Sequence, residues 1–392
     1  MKDAVYLFHP HFLNYKFDQD HPFDQHRITL TRDLLRAANA FPSDSEIVSV
    51  DQLDEEWLQA VHVPEYIESV KALSAAHPLG AKIHQAQKYG LNTEDTPFFP
   101  GMHQSAQMIA AASVEAAKLV MDGKTRHAIN LAGGLHHAMP QRGSGFCVYN
   151  DASIAISFIR KQYGAKVLYV DTDAHHGDGV EMSFYSDPEV YTYSIHETGK
   201  YLFPGTGQIE QRGEGEGFGC TINLPMEPYT EDDSWLESFK NVLEDVLQKA
   251  KPDIIISQHG CDAHALDPLS HLHCSMRIYR EMPRILHEAA HHYCDGRWVA
   301  LGGGGYDIWR VVPRAWSLLW MEMSGHPLLQ QIDADPFLRL PEAWLDRWSP
   351  QSPEELPQTW LDDISEWTPM PRRAEIEAAN RRSVELASMY LR

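Results

Sequence analysis

Five short runs rich in Val, Ile and Tyr constrain this chain most: RHAINLA ending at residue 132, KVLYV at 170, VYTYSI at 195, DIIISQ at 258 and RWVALG at 302. Their length and β-branched content suit buried strands. Between them lie stretches with helical character, SIAISFIRKQYG from Ser153 and DDSWLESFKNVLEDVLQKA from Asp232, the second opening with Asp and Ser expected to cap it. Strand alternating with helix predicts an α/β chain built on a parallel sheet. Each run is followed by unusual residues: GGLHH, DTDAHHGDG, His196, HGCDAH and GGGGY. Open α/β sheets bind ligands beyond the carboxyl ends of their strands, so the chemistry is expected on one edge.

The second of these sequences raises the sharpest question. Asp171, Asp173, His175, His176 and Asp178 crowd the end of a buried strand, and several buried carboxylates are costly unless a cation or specific hydrogen bonds compensate. Asp173 and His175, two apart, project to one face of an extended strand end. With Asp262 from a neighbouring strand end they make an Asp, His, Asp donor set, and three protein ligands with one open position is the pattern of a catalytic zinc. A lone Asp-x-His pair reads better as hydrogen-bonded polar residues; the full set favours a metal. His136 and His137 follow a glycine turn. Asp171 and Asp178 can accept from their ring N–H groups and fix tautomers, which suits acid/base work near neutral pH. Four glycines precede Tyr306, leaving room for the phenol to enter the site as an oxyanion donor. Phosphate binding is disfavoured because the run lacks the GxxxxGK[ST] pattern and its lysine.

Composition bounds the rest. With 392 residues, 43% of them hydrophobic, the chain can bury a large core. The formal charge of −22 argues against nucleic acid or an anionic membrane surface as partner and suits a basic one. Five cysteines, an odd number without a CxxC pair, suggest neither a disulfide framework nor a thiolate zinc cage and fit reducing cytoplasm. The first twenty residues lack the pattern of a secretory signal, and no apolar run of about 18 residues predicts a membrane span. No linker splits the chain. Residues 1–325 are expected to form one catalytic domain, and 326–392, where Pro and Trp become frequent, a C-terminal extension packed on it and ending in a helix from Arg372 to Leu391.

At this point the motifs GGLHHA with SGFCVYND, LYVDTDAHHGDGVE, FPGTG, GCDAHALDPL and LGGGGYDIWRVVPRAW, in this order between about His21 and Trp316, resemble those of the zinc-dependent histone deacetylases, and most closely the bacterial acetoin-utilization deacetylase-like proteins. The resemblance implies an arginase/deacetylase-type three-layer fold with a central, mainly parallel sheet. It implies zinc on Asp173, His175 and Asp262, His137 as general base and acid paired with Asp178, His136 backed by Asp171 as electrostatic support, and Tyr306 as oxyanion donor. It further implies a tunnel walled by Gly145, Phe146, Phe203 and Leu269, a rim aspartate at Asp95 gripping the substrate backbone, and Arg27 lining an internal channel for acetate. Two potassium sites are implied as well, one using Asp171, Asp173, His175, Ser194 and Ile195, the other Phe184, Asp187 and Val190. His264, and Met139 with Pro140, depart from the family pattern and are expected to bear on substrate preference. Leu269 stands where polyamine-selective relatives can carry an acidic residue.

The function so implied is removal of acetyl or another short acyl group from the lysine ε-amine of proteins, in the regulation of acetate or acetoin metabolism, with an acetyl-CoA synthetase as one substrate by analogy. Deacetylation of a small acetylated amine, a dinuclear manganese ureohydrolase and a non-catalytic metal-holding scaffold are the alternatives. Intact His137 and Tyr306 argue against the last.

Overall fold

The computed structural model describes residues 2–18, 20–42 and 47–391. The five expected strands form the middle of one sheet: β3 (Thr125–Asn130), β4 (Val167–Asp171), β5 (Val190–Glu197), β7 (Ile254–Gln258) and β8 (Trp298–Leu301). Three more complete it: β1 (Lys2–Leu7), β2 (Ile47–Val48) and β6 (Thr221–Met226). The order is β2-β1-β3-β8-β7-β4-β5-β6, and every pairing is parallel. Parallel sheets need cover on both faces, which is why β4 and β7 are buried along their full length and read as continuous apolar runs. Helices Met102–Met121 and Asp151–Tyr163 pack together on the central strands. Val312–Ser324, Met276–Tyr293 and Asp232–Ala250 form a second connected set that reaches β1, β3 and β5.

Two local expectations are corrected. Asp232 and Ser234 do not cap their helix; the residue at the cap position is Glu231, with no side-chain cap bond, and the Asp232 carboxylate accepts instead from the backbone N–H and hydroxyl of Ser275. His196 does not stand past the end of its strand. β5 runs on to Glu197, and the buried His196 ring spends Nδ1 on Ser194 Oγ (2.8 Å) and Nε2 on the Gly207 carbonyl (2.9 Å).

Beyond residue 325 the chain returns to the sheet domain. Trp344, Trp348 and Trp360 are buried, Trp344 donates to the Leu30 carbonyl, and the terminal helix, Arg373–Leu391, lies against Asp232–Ala250 and β6. All five cysteines are buried and free. Among the described residues no helix is long and apolar enough to cross a membrane.

Candidate active site

The carboxyl ends of β3, β4, β7 and β8 are adjacent in the sheet, so the loops that follow them meet. Asp173, His175 and Asp262 come together with their donor atoms within 4.8 Å of one another. His175 Nδ1 lies 3.1 Å from Asp173 Oδ1 and 2.9 Å from Asp262 Oδ2. All three are buried. The outer oxygens of the two carboxylates are held by the protein: Asp173 Oδ2 accepts from Gln258 Nε2 and Gly304 N–H, both at 2.7 Å, and Asp262 Oδ1 accepts from Ala174 N–H at 2.8 Å. What remains turned inward is one oxygen of each carboxylate and one imidazole nitrogen.

This donor set fits a divalent ion. Burial and the Asp173 charge push the Asp262 carboxyl up to about 6, while His175, which burial alone would lower, is held well above its ordinary value by the two carboxylates. Two buried carboxylates facing one imidazole thus retain a proton where a cation would satisfy both, and two oxygens with one imidazole nitrogen suit zinc.

Beside this set stand two Asp–His pairs. His136 Nδ1 is 2.8 Å from Asp171 Oδ2, which also accepts from the Tyr169 hydroxyl, and His137 Nδ1 is 2.7 Å from Asp178 Oδ1. The two Nε2 atoms face each other at 3.0 Å. Burial lowers the His136 basicity, but Asp171 and Asp173 outweigh it and push the ring up to about 9. His137, by contrast, is lowered by burial and by the His136 charge. The charged form is thus favoured on His136 and the neutral form on His137.

The backbone is shaped around these groups. A Cβ on Gly304 would fall 2.1 Å from Asp262 Oδ2, and one on Gly145 2.2 Å from His137 Cδ2, so neither position has room for a side chain. Asn150, which caps the helix Asp151–Tyr163 through Ser153 N–H, turns its amide to the carbonyls of His136 and Ala138 and so fixes the histidine loop. Gln258, Asn150 and Tyr169 were not singled out from the sequence. Amide and phenol side chains carry no spacing signature, and only the register Asp171↔Gln258 brings Gln258 to the site.

Two of the residues expected to wall a tunnel flank the centre. The Phe203 ring is 5.0 Å from that of His137, and the Phe146 ring 5.6 Å from that of Tyr306. Tyr306, half-buried, is placed by its backbone N–H, which donates to Asp267 Oδ2 at 2.7 Å, and the same carboxylate accepts from Leu269 N–H. Asp95 lies on a depression of about 590 Å³ that also involves Asp178 and Phe203. Its Oδ2 accepts from Gly145 N–H at 2.7 Å, which braces the backbone beside Phe146. Arg27 is fully buried behind the site: it donates to the Gly305 carbonyl and stacks over Phe23 and Trp316, and its Nη2 has no partner among the described residues. Of the expected potassium groups, Ser194 pairs with Asp171 across β4 and β5. Phe184, Asp187 and Val190 form a separate turn in which Asp187 N–H donates to the Phe184 carbonyl. His264 is corrected. Its ring is buried and turned to Asp362 of the C-terminal extension (2.9 Å), with Tyr279 stacked on it, and so it forms part of an internal contact.

With this geometry in place, residues 21–323 match the family model described as the histone deacetylase domain. The chain belongs to the histone deacetylase family. It is 49% identical over 392 residues, 100% of this chain and 98% of the relative, to the acetoin utilization protein AcuC of Bacillus subtilis (strain 168). It is 43% identical to the protein of the same name from Staphylococcus aureus (strain MSSA476), with 99% and 97% covered. A solved structure described as an HDAC homolog complexed with SAHA superposes with a TM-score of 0.84 at 25% identity, covering 98% of this chain and 100% of that one. An HDAC homolog from Aquifex aeolicus gives 0.83 at 24% identity, with the same coverage. The arginase/deacetylase fold expected from the motifs is thus the fold observed.

Proposed function

We propose that this hydrolase is a zinc-dependent deacetylase acting on acetylated lysine in proteins. The observation that carries the reading is the convergence of the Asp173, His175 and Asp262 donors beside two histidines, His136 and His137, each paired with its own aspartate. A zinc ion on those three residues would supply Lewis acidity, polarising an amide carbonyl and making water acidic enough to attack near neutral pH. His137 Nε2 accepts the water proton and later returns it to the leaving amine, with Asp178 holding the ring's tautomer through Nδ1. His136, favoured in its charged form by Asp171, stands beside the reacting atoms and lowers the cost of negative charge in the pocket. The Tyr306 hydroxyl, kept protonated because burial holds its pKa well above the ordinary value, donates to the oxygen on which charge develops.

Phe146 and Phe203 form apolar walls for a lysine stem, whose burial is worth roughly 0.8 kcal/mol per methylene. Asp95 grips the peptide backbone at the rim, Leu269 adds to the wall, and Arg27 faces the departing acetate. Potassium at the Asp171/Ser194 and Phe184/Asp187/Val190 groups would stiffen the loops that carry His175. The relatives named acetoin utilization protein support a role in acetoin metabolism; the reading extends this to acetate metabolism in the cytoplasm, with an acetylated acetyl-CoA synthetase as a candidate substrate.

The test is acetate release from an acetyl-lysine peptide by zinc-reconstituted protein. Robust release, lost in Asp173→Ala, is expected. A larger kcat/KM for a free acetylated amine than for the peptide would move the substrate to small metabolites, and no release from either would overturn the reading.

A further inference from the structure

Among the described residues a second group of three places donor atoms within 4.8 Å of one another: His127, His287 and His291. His127 is on β3, paired with Trp298 at the amino end of β8, away from the carboxyl edge that bears the first site. His287 and His291 are one turn apart on the helix Met276–Tyr293 and so share a face. The three Nε2 atoms form a closed triangle with sides of 3.1, 3.3 and 3.1 Å.

That triangle is frustrated without a cation. Each Nε2 either carries a proton or presents a lone pair, so of three mutually facing atoms at least two are alike, and at least one contact sets lone pair against lone pair or N–H against N–H. A metal at the centre lets all three present lone pairs at once. The size is right too, since tetrahedral zinc with Zn–N bonds of about 2.0–2.1 Å separates its nitrogens by about 3.3 Å.

The surroundings favour the metal-binding tautomer. His287 Nδ1 lies 2.8 Å from Glu322 Oε1, and a carboxylate accepting there leaves Nε2 as the lone pair, the arrangement that commonly orients metal-bound histidine. Glu322 is also paired with Arg280 at 2.8 Å, which holds its carboxylate in place. The opposing charge is Arg126, whose guanidinium is turned toward Asp3. His127 is buried and His291 exposed, so the site would be closed on one side and open to solvent on the other.

We propose that His127, His287 and His291 bind a divalent transition metal through three imidazoles, with zinc as the ion of matching size and one position left to water. The ion ties the helix Met276–Tyr293 to β3, and this site is independent of the deacetylase reading.

The test is metal counting on the full chain after zinc loading and exhaustive dialysis, with thermal unfolding read alongside. Wild type is expected to retain two zinc equivalents, His291→Ala and the pair His287→Ala/His291→Ala one each, and Asp262→Ala one. Zinc is expected to raise the Tm of Asp262→Ala but to leave that of Asp262→Ala/His291→Ala unchanged. Because His291 is exposed, its replacement leaves the fold and acetate release intact. Retention by wild type of a single equivalent, or a second equivalent that survives loss of His287 and His291, would overturn the proposal. Failure of the deacetylase reading would instead appear as absent acetate release with the zinc count at two.

Discussion

Tyr306 illustrates how much a single atom is asked to do. Its ring is set by a backbone bond to Asp267 and by the edge of Phe146, neither of which involves the hydroxyl. Tyr306→Phe should therefore keep the ring in place and remove only the donor. A reduction in kcat of roughly 10² to 10³, with KM little changed, is expected from the loss of one oxyanion donor, and steady-state kinetics on an acetyl-lysine peptide would measure it. Turnover within a factor of three of wild type would remove the residue from the reaction. At this scale the sequence is informative where chemistry forces a pattern: Asp173 and His175 are not on the strand end expected for them, since β4 stops at Asp171, but their donor atoms meet with that of Asp262 in the loop that follows. It is silent where a residue acts only through position. Gly304 owes its identity to two carboxylates that approach from 42 and 131 residues earlier in the chain, and the His127, His287 and His291 triangle leaves only an i, i+4 histidine pair to notice.

The helix Asp151–Tyr163 does more than cover the sheet. Its N-cap Asn150 satisfies Ser153 N–H through Oδ1 at 2.9 Å, and its amide donates at 3.1 Å to the carbonyls of His136 and Ala138, so the start of a helix and the active-site histidines share one side chain. Asn150→Ala removes the cap, worth about 1 kcal/mol, and leaves two buried carbonyls without these donors, for a total of about 2–4 kcal/mol. Urea unfolding should show that loss, accompanied by a fall in kcat as the loop loosens. Asn150→Asp, which restores the acceptor but not the donors, should recover stability only in part; full recovery would mean that the loop does not depend on the amide. Elements also differ in how clearly the sequence announces them. The central strands are legible because both faces are buried and every position can be apolar. β6 is not, since TINLPM sits at the sheet edge, where Asn223 and Pro225 are tolerated, and the two-residue β2 is too short to form a pattern.

Across the whole molecule, the C-terminal extension is joined to the catalytic edge by a carboxylate that is only 11% exposed. Asp362 Oδ1 accepts from Arg314 Nη1 at 2.8 Å, and Oδ2 accepts from Met276 N–H at 2.6 Å and pairs with His264 Nε2 at 2.9 Å. Arg314 is only 1% exposed. His264 lies two residues from Asp262, so the loop bearing a metal-site carboxylate is braced by chain from beyond residue 325. This explains why a departure from the family pattern at His264 reads from sequence as a matter of substrate preference yet turns out to be internal packing: its partner is 98 residues away in a segment with no recognisable motif. Removing one member of such a buried pair costs about 3–5 kcal/mol, and Asp362→Asn should lower the unfolding free energy by that order. The pH dependence has a definite sign. Burial alone would raise the Asp362 carboxyl, but Arg314 and His264 hold it well below the ordinary carboxylate range, whereas in the unfolded chain it titrates near about 3.9. Its contribution is therefore complete above about pH 5 and is lost as pH falls below about 4, where the unfolded chain binds the proton first. Urea midpoints measured from pH 7 down to pH 3 should converge for wild type and Asp362→Asn as the medium becomes acid; curves that stay parallel across that range would show that the carboxylate charge is not what fastens the extension.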